Sequence, residues 1–357
     1  MKIISSQAIP TPCTSNHASN LLELKNGDLL CTWFAGSMEG SSDISVYLSR
    51  LEGTSGVWSD PVRMSQDPTR SEQNPVLFNM KGNELWLFYT AQVLTDQGTA
   101  LVRVRKSKDQ GITWSPEENL FAEQGIFVRQ QPFINEEGSI IVPIWFSNMK
   151  EAFGLDYSAI KISTDDGISW NTVAVPDSYG CVHMNIMEDG KEAFFRSRKS
   201  DNIYRSTSDG KGVQWSRPQP MSLPNNNSSI QARIVSDGRI LIIFNDIRAE
   251  GRRSESSVPP WVSDKEEFLS RCTITERSAI WGVPRNPLVI ASSTDGGRTW
   301  IREITVESDA LLRSEHDAKG SFIGDYSYPS ILQTGDGRLH ITYSYLRDYI
   351  KHVTLEL

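Results

Sequence analysis

The sequence predicts an all-β fold: a six-bladed β-propeller of four-stranded antiparallel blades, spanning residues 1–357 as one domain. Three observations carry this. First, one phrase recurs: Ser107-Lys-Asp109-Gln-Gly111-Ile-Thr113-Trp114, then Ser163-Thr-Asp165-Asp-Gly167-Ile-Ser169-Trp170, then Ser293-Thr-Asp295-Gly-Gly297-Arg-Thr299-Trp300. A looser copy runs from Thr207 through Asp209 and Gly210 to Trp215, and a worn one from Ser49 to Trp58. Recurrence of this kind sets the architecture before any local reading. Second, between the tryptophans the chain repeats an apolar strand, a Gly turn, a second apolar strand and a third strand leading into the phrase. Third, the last repeat lacks a fourth strand, while Lys2-Ile3-Ile4-Ser5 is apolar and unassigned. That segment is expected to close the ring and cover the open edge.

Each element has its own warrant. In the phrase, Asp109 accepts bonds from backbone donors further on, as Asx-turns do. Gly111 supplies a positive φ, and Trp114 buries a large ring between sheets. The phrase therefore reads as a hairpin staple and signals fold far more than chemistry. Blade one reads Ala18 to Leu24, Leu29 to Phe34 and Ile44 to Ser49, with Asn26-Gly27 as the hairpin cue. Blade two has Pro75–Phe78, Leu85–Tyr89 and Ala100–Val104. Blade three has Pro132–Ile134, Ile140–Trp145 and Ser158–Ile162. Blade four has Met184–Ile186, Ala193–Phe195 and Ile203–Tyr204. Blade five has Ile230–Ile234, Ile240–Phe244 and Leu288–Ala291, and blade six has Ser330–Leu332, Leu339–Tyr343 and Ile350–Leu355. Blade five carries a polar insertion over about residues 248–278, with a helix-like patch from Asp264 to Ser270. It is expected to be a rim loop or lid.

Composition narrows the function. The net charge is -8 and no Lys/Arg run stands out, which argues against nucleic-acid or anionic-membrane binding. An acidic ligand must be caught by a local arginine cluster. No stretch approaches the roughly 20 apolar residues of a membrane span. The N-terminal residues lack the apolar core of a signal peptide. Cys13, Cys31, Cys181 and Cys272 are scattered without CxxC spacing, so free thiols and a cytoplasmic setting are expected, with secretion the alternative if a leader has been removed. His/Asp/Glu spacing suggests no metal and no motif suggests a cofactor. His316, His340 and His352 read as structural or exposed.

The starts of the six first strands are unusually polar. They are Asn16-His17-Ala18, Glu72-Gln73-Asn74-Pro75, Arg129-Gln130-Gln131-Pro132, Cys181-Val182-His183-Met184, Asn225 through Gln231, and Tyr326-Ser327-Tyr328-Pro329. Packed strands do not need such polarity. Convergent polar groups suit a polyhydroxylated ligand. Arg70, Arg129, Arg196, Arg198, Arg285 and Arg347 sit at strand ends, and guanidinium forks grip carboxylates. The expected partner is an acidic oligosaccharide or polysaccharide chain end.

The repeated phrase resembles the Asp-box of the sialidase superfamily, and the likeness covers nearly the whole chain as fold. It implies three arginines on a substrate carboxylate, a Tyr nucleophile paired with a Glu, and an Asp acid. Arg198 (or Arg196) matches the second arginine, Arg285 the third, Tyr328 the tyrosine and Asp43 the acid, with Glu39 its rival. Two parts depart. Ala8-Ile9-Pro10 and Asn16-His17 stand where the first arginine belongs, and His183 stands where the glutamate belongs. Without the Glu a neutral Tyr is a weak nucleophile. The departures suit β-elimination from a uronic acid, in which arginines stabilise an enolate-like state and a base removes the proton α to the carboxylate.

Arg70-Ser-Glu-Gln-Asn-Pro75, Gly180-Cys-Val-His-Met-Asn185, Pro224-Asn-Asn-Asn-Ser-Ser229 and Tyr328-Pro-Ser resemble the L-rhamnose-α-1,4-D-glucuronate lyase branch. That resemblance implies an exo-acting lyase with His183 and Tyr328 as base and acid, in either order. Arg129, Arg198 and Arg285 would hold the carboxylate, and His17, Asp43 and Gln231 the hydroxyls. Arg70, Gln73, Gln130, Glu39 and Arg347 complete the expected binding set. A retaining exo-α-sialidase and a non-catalytic carbohydrate-binding propeller are the alternatives.

Overall fold

The computed structural model describes residues 1–53, 56–251, 257–262, 264–308 and 324–357. The fold is an all-β propeller of six antiparallel sheets, carried in two compact units. Unit one comprises Met1–Gln124 with Leu312–Leu357, and unit two Gly125–Leu311.

Unit one holds three blades. Blade one runs Ser15–Glu23, Leu29–Gly36, Ser45–Leu51, Val62–Arg63, and blade two Ser71–Asn79, Leu85–Val93, Asp96–Ser107, Glu118–Phe121. Blade six runs Tyr326–Gln333, Leu339–Tyr345, Tyr349–Glu356, and its fourth strand is Lys2–Ile9, as the apolar N-terminal segment led us to expect. The register runs from Lys2 opposite Glu356 to Ile9 opposite Ile350.

Unit two holds the other three. Blade four is Cys181–Ile186, Glu192–Ser197, Asn202–Thr207, Gln219–Pro224, and blade five is Gln231–Ile234, Ile240–Asn245, Leu288–Ser293, Ile301–Glu307. Blade three corrects the sequence reading, which began its first strand at Pro132. That strand comes in two pieces, Ile126–Val128 and Phe133–Ile134, both paired with Ile140–Phe146. Arg129 to Pro132 lie between the pieces, so they leave the ladder instead of leading into it. Pro132 has no N–H to donate to a ladder.

The first strands share a device that periodicity alone does not reveal. In blade one, His17 faces Phe34 and Asn20 faces Thr32, so the first strand carries one extra residue. The same step occurs between Gln73 and Val76, Val182 and Asn185, and Ser327 and Ser330. Each is a β-bulge, which re-aims side chains. The residue that turns is left-handed each time: Ala18 (φ 60°), Asn74 (52°), His183 (55°) and Tyr328 (53°). Such angles are uncommon for residues with a Cβ and persist where surrounding structure enforces them. The ladder residue after the bulge then ties one blade to the next. Ser330 Oγ accepts from Leu21 N (3.0 Å), Asn20 Oδ1 from Leu77 N (2.9 Å), and Asn185 Oδ1 from Ala232 N (2.5 Å).

The recurrent phrase behaves as expected, with one addition. Asp109 Oδ1 accepts from Ser107 Oγ (2.8 Å) and Thr113 N (2.9 Å), and Trp114 Nε1 donates to the Gly111 carbonyl (3.2 Å). Asp165 and Asp295 repeat the pattern. The turn takes two consecutive left-handed residues, Gln110-Gly111, Asp166-Gly167 and Gly296-Gly297. The tryptophans fill seams between blades. Trp114 packs against a buried cluster that includes Leu22, Leu30 and Leu87, and Trp300 meets Phe194 edge-on at 5.6 Å. In the worn copy, Trp58 is buried, while residues 54 and 55 fall outside the described residues.

The insertion in blade five has its own small core. Asp264 caps a helix, Lys265–Arg271, by accepting from Glu267 N (2.9 Å). Phe268, Phe153 and Trp281 pack together, with Trp261 edge-on to Trp281 at 4.8 Å. The returning segment binds the loop after Trp145: Thr273 N donates to the Lys150 carbonyl (2.8 Å) and Ala279 N to the Ala152 carbonyl (3.0 Å). Gly154 is required there, because a Cβ would overlap the Arg277 carbonyl. Residues 252–256 and 263 of the insertion, and His316, lie outside the described residues. All four cysteines are free thiols. His340 and His352 form a stacked pair (Nδ1 to Nε2, 2.9 Å), with Trp58 Nε1 donating to His352 Nδ1 (3.1 Å), so His352 is structural.

Candidate functional site

In unit two the blade-four bulge delivers His183 into a buried cationic cluster. His183 is 3% exposed. Its Nδ1 lies 3.0 Å from Ser229 Oγ and its Nε2 lies 3.4 Å from Arg196 Nη1. A guanidinium has no acceptor, so Nε2 carries the lone pair and Nδ1–H donates to Ser229. The ring leans on Trp145, centroids 4.5 Å apart, and Trp145 stacks on Phe127 at 4.8 Å. Burial pushes the His183 pKa well below the usual imidazole value, and the positive charges of Arg196, Arg198 and Arg129 push it further. The ring is neutral at physiological pH.

The arginines are built in. Arg129 and Arg196 are each 1% exposed. Arg196 Nε donates to Asn227 Oδ1 (2.8 Å), and Asn227 Nδ2 donates to the Ile280 carbonyl (2.9 Å). Arg198 is held by a carboxylate: its Nε and Nη2 lie 2.8 and 2.7 Å from Asp156 Oδ2. Burial raises the Asp156 pKa, against the pull of Arg198. Both guanidiniums face the Trp281 ring, at 5.9 Å for Arg196 and 5.1 Å for Arg198, a cation–π arrangement. Ile280 N donates to the Arg198 carbonyl (2.7 Å). The insertion thus forms one wall of the cluster. Below it, Gln231 Nε2 donates to Gln130 Oε1 (3.2 Å), and Gln130 Nε2 to the Ile230 carbonyl (2.7 Å). Arg285 is half-buried and follows Pro284, whose carbonyl accepts from Asn226 (2.8 Å).

In unit one the blade-one and blade-six bulges bring His17 and Tyr328 together. Their rings lie 4.2 Å apart, and Phe34 meets His17 edge-on at 5.5 Å. His17 Nδ1 lies 2.7 Å from Ser344 Oγ. Ala18, Phe34, Ile44 and Tyr328 form the apolar surround. Arg347 bridges two carboxylates, Glu39 Oε2 (2.6 Å) and Asp325 Oδ2 (3.1 Å). Burial works against its charge, but the two carboxylates outweigh burial and raise its pKa. Asp43 is exposed and accepts from Ser37 N (3.0 Å) and Ser37 Oγ (2.9 Å).

Other expected binding residues are tied into the scaffold. Arg70 Nη1 donates to the Ala91 (3.1 Å) and Thr99 (3.0 Å) carbonyls. Gln73 donates to Ser71 Oγ (2.8 Å). Glu72, wholly buried, joins Arg103 (2.9 Å), which also binds Asp67 (2.8 Å).

Sequence reasoning named His183, Arg129 and Arg198, and gave Arg196 only as an alternative to Arg198. It missed Trp145, Asp156 and Trp281. The Asn225-Asn226-Asn227 run was a visible signal for Asn227. Asp156 had none, because Leu155-Asp156-Tyr157 reads as an ordinary strand lead-in. Among the described residues no cluster of His, Cys, Asp and Glu could hold a metal ion, and no helix is long and apolar enough to cross a membrane.

Comparison with known proteins agrees with this architecture. A Hadza microbial sialidase superposes with a TM-score of 0.69 at 15% identity, over 97% of this chain and 66% of its own. This chain therefore spans just under two thirds of that sialidase. A protein of unknown function from Dyadobacter fermentans gives a TM-score of 0.69 at 15% identity, over 100% and 99% of the two chains. The intramolecular trans-sialidase of Ruminococcus gnavus gives 0.65 at 14%, over 97% and 95%. No curated protein sequence matches. These likenesses establish a sialidase-like propeller fold. Residues 27–341 match the BNR repeat-like domain, and the chain belongs to that family.

Proposed function

We propose that this protein is a carbohydrate-active enzyme that acts on the acidic sugar at a chain end and cleaves its linkage by β-elimination. One observation carries the reading: a buried, neutral His183 whose charged neighbours are Arg196, Arg198 and Arg129. Such a cluster attracts a carboxylate. A bound carboxylate would offset the cationic field and raise the basicity of His183, so the base would be strengthened by its own substrate. Trp145 and Ser229 hold the ring in one tautomer, with Nε2 as proton acceptor. The arginines would then stabilise the charge that develops on the carboxylate as the α-proton leaves. The uronate's C4 oxygen departs with the C–O bonding electrons, carries away the terminal sugar attached to it and takes a proton, leaving a 4,5-unsaturated uronate on the chain. Tyr328 is our candidate for the proton donor, on the strength of the sequence resemblance, and Tyr328→Phe tests it.

A sialidase is the second reading, favoured by the fold shared with the sialidases above. Incubation with a rhamnose-glucuronate-capped arabinogalactan, beside a sialyl-linked fluorogenic glycoside, separates the two. Elimination predicts near-ultraviolet absorbance and products lacking the mass of an added water. Release of free sialic acid, with no absorbance, would overturn the lyase reading.

A further inference from the structure

The strand that delivers Arg196 presents a second surface. Successive residues of a strand point to opposite faces. Arg196 and Arg198 turn to the His183 cluster, while Ser197 and Lys199 line a separate pocket of about 190 Å³. Tyr179, Tyr204, Arg217 and Pro220 complete its wall. Drug-sized ligands occupy about 300–1,000 Å³, so this pocket suits one small unit.

Its chemistry is specific. Among the described residues, neither the Lys199 ammonium nor the exposed Arg217 guanidinium is engaged by a carboxylate. Asp201, half-buried, is already bound to two side chains of the wall, Ser197 Oγ (2.5 Å) and Tyr204 Oη (2.9 Å), and to Asn202 N (2.7 Å). Asp177 also lines the pocket, so two cations face one exposed anion. Tyr179 is 52% exposed, and its ring meets Tyr157 in a T-shaped contact at 6.4 Å, which can cover at most one of its two faces. An exposed aromatic face beside free cations stacks a sugar ring while the cations take its carboxylate.

We infer that this pocket binds a single carboxylate-bearing sugar unit, at a site separate from the His183 cluster. Lys199 and Arg217 hold the carboxylate, Tyr179 the ring, and Gln219 offers a hydroxyl partner. A polymer bearing several acidic units would be held here while its end is processed elsewhere. The inference concerns binding and does not depend on turnover.

The test is an NMR titration of the whole protein with methyl β-D-glucuronoside, following the backbone amides of Gly180, Lys199 and Gln219. Methyl β-D-glucoside and acetate serve as controls. The amides are expected to shift saturably with the glucuronoside alone, to the same degree in Arg196→Gln. The Lys199→Gln/Arg217→Gln double variant should bind about tenfold more weakly or worse, as loss of a charge-assisted contact predicts. Tyr179→Ala should also weaken binding. Absence of shifts, equal shifts with glucoside or acetate, or undiminished binding in the double variant would each overturn the assignment. Disappearance of the shifts in Arg196→Gln would do so too, by moving the ligand to the other cluster.

Discussion

His17 and His183 occupy comparable places, at the bulges of two first strands, and live in opposite surroundings. His183 is itself the left-handed residue, whereas His17 precedes the left-handed Ala18. Around His183 the ring faces guanidiniums and leans on Trp145. Around His17 it faces Phe34 and Tyr328, with Ser344 on one nitrogen. The arginines differ in the same way. In unit one, Arg347 bridges two carboxylates and Arg103 reaches Asp67, Glu72 and Glu117. In unit two, three arginines act on His183 and Asp156 is the carboxylate bonded into the cluster. One backbone device thus sets one histidine among aromatic rings and the other among guanidiniums.

Four substitutions can break or sharpen that contrast. Removing His183 (to Ala) should cost about 10²–10⁴ in kcat/KM, as loss of a general base does. Full activity in that variant would remove His183 from the chemistry. Next, Asp156→Ala leaves a buried Arg198 without its carboxylate, a loss of about 3–5 kcal/mol, read from denaturant unfolding. Glu39→Gln in unit one, where both partners are about a quarter exposed, should cost under about 1 kcal/mol. Equal costs would erase the distinction between the two units. Between these falls Asn185→Ala, which strips the buried Ala232 N–H of its acceptor and should cost about 1–3 kcal/mol.

Acidity gives the subtlest probe. His183 sits below its unfolded pKa, and His352, buried beside His340, is pushed down to about 3. Between the unfolded value near 6.5 and the folded ones, the unfolded chain binds more protons. Stability is therefore full above about pH 6.5 and falls on acidification, by up to about 1.4 kcal/mol per pH unit for each histidine. Activity should hold through pH 6.5 and decline only at lower pH. In Arg196→Gln the loss of a neighbouring cation raises the His183 pKa, so the acid limb of kcat/KM moves upward. An unmoved limb would mean that another group titrates.

The legible part of the molecule was the part written by repetition. The Asp-box spacing, the Gly turns and the unassigned Lys2–Ser5 segment all rest on local periodicity, and strands and closure followed. The bulges escaped because a single extra residue leaves no mark in composition: Ala18, Asn74, His183 and Tyr328 share a φ and no chemistry. Arg129 to Pro132 were read as a strand start for the same reason. Trp281 escaped because its partners, Arg196 and Arg198, lie some eighty positions earlier. The side chains that make a site meet through tertiary packing, which no window along the chain contains.

The pairing of Lys2–Ile9 with Tyr349–Glu356 sets an order of events during synthesis. The first of these strands leaves the ribosome with its partner not yet made, and must stay unpaired while everything between is translated. Gly125–Leu311, by contrast, is one uninterrupted stretch and can begin to collapse as it emerges. Closing blade six is a contact of nearly maximal sequence separation, the kind that slows folding. Lys2–Ile9 thus stays without its mate until Tyr349–Glu356 is made, and a chaperone that shields Lys2–Ile9 would act on this pairing of large sequence separation.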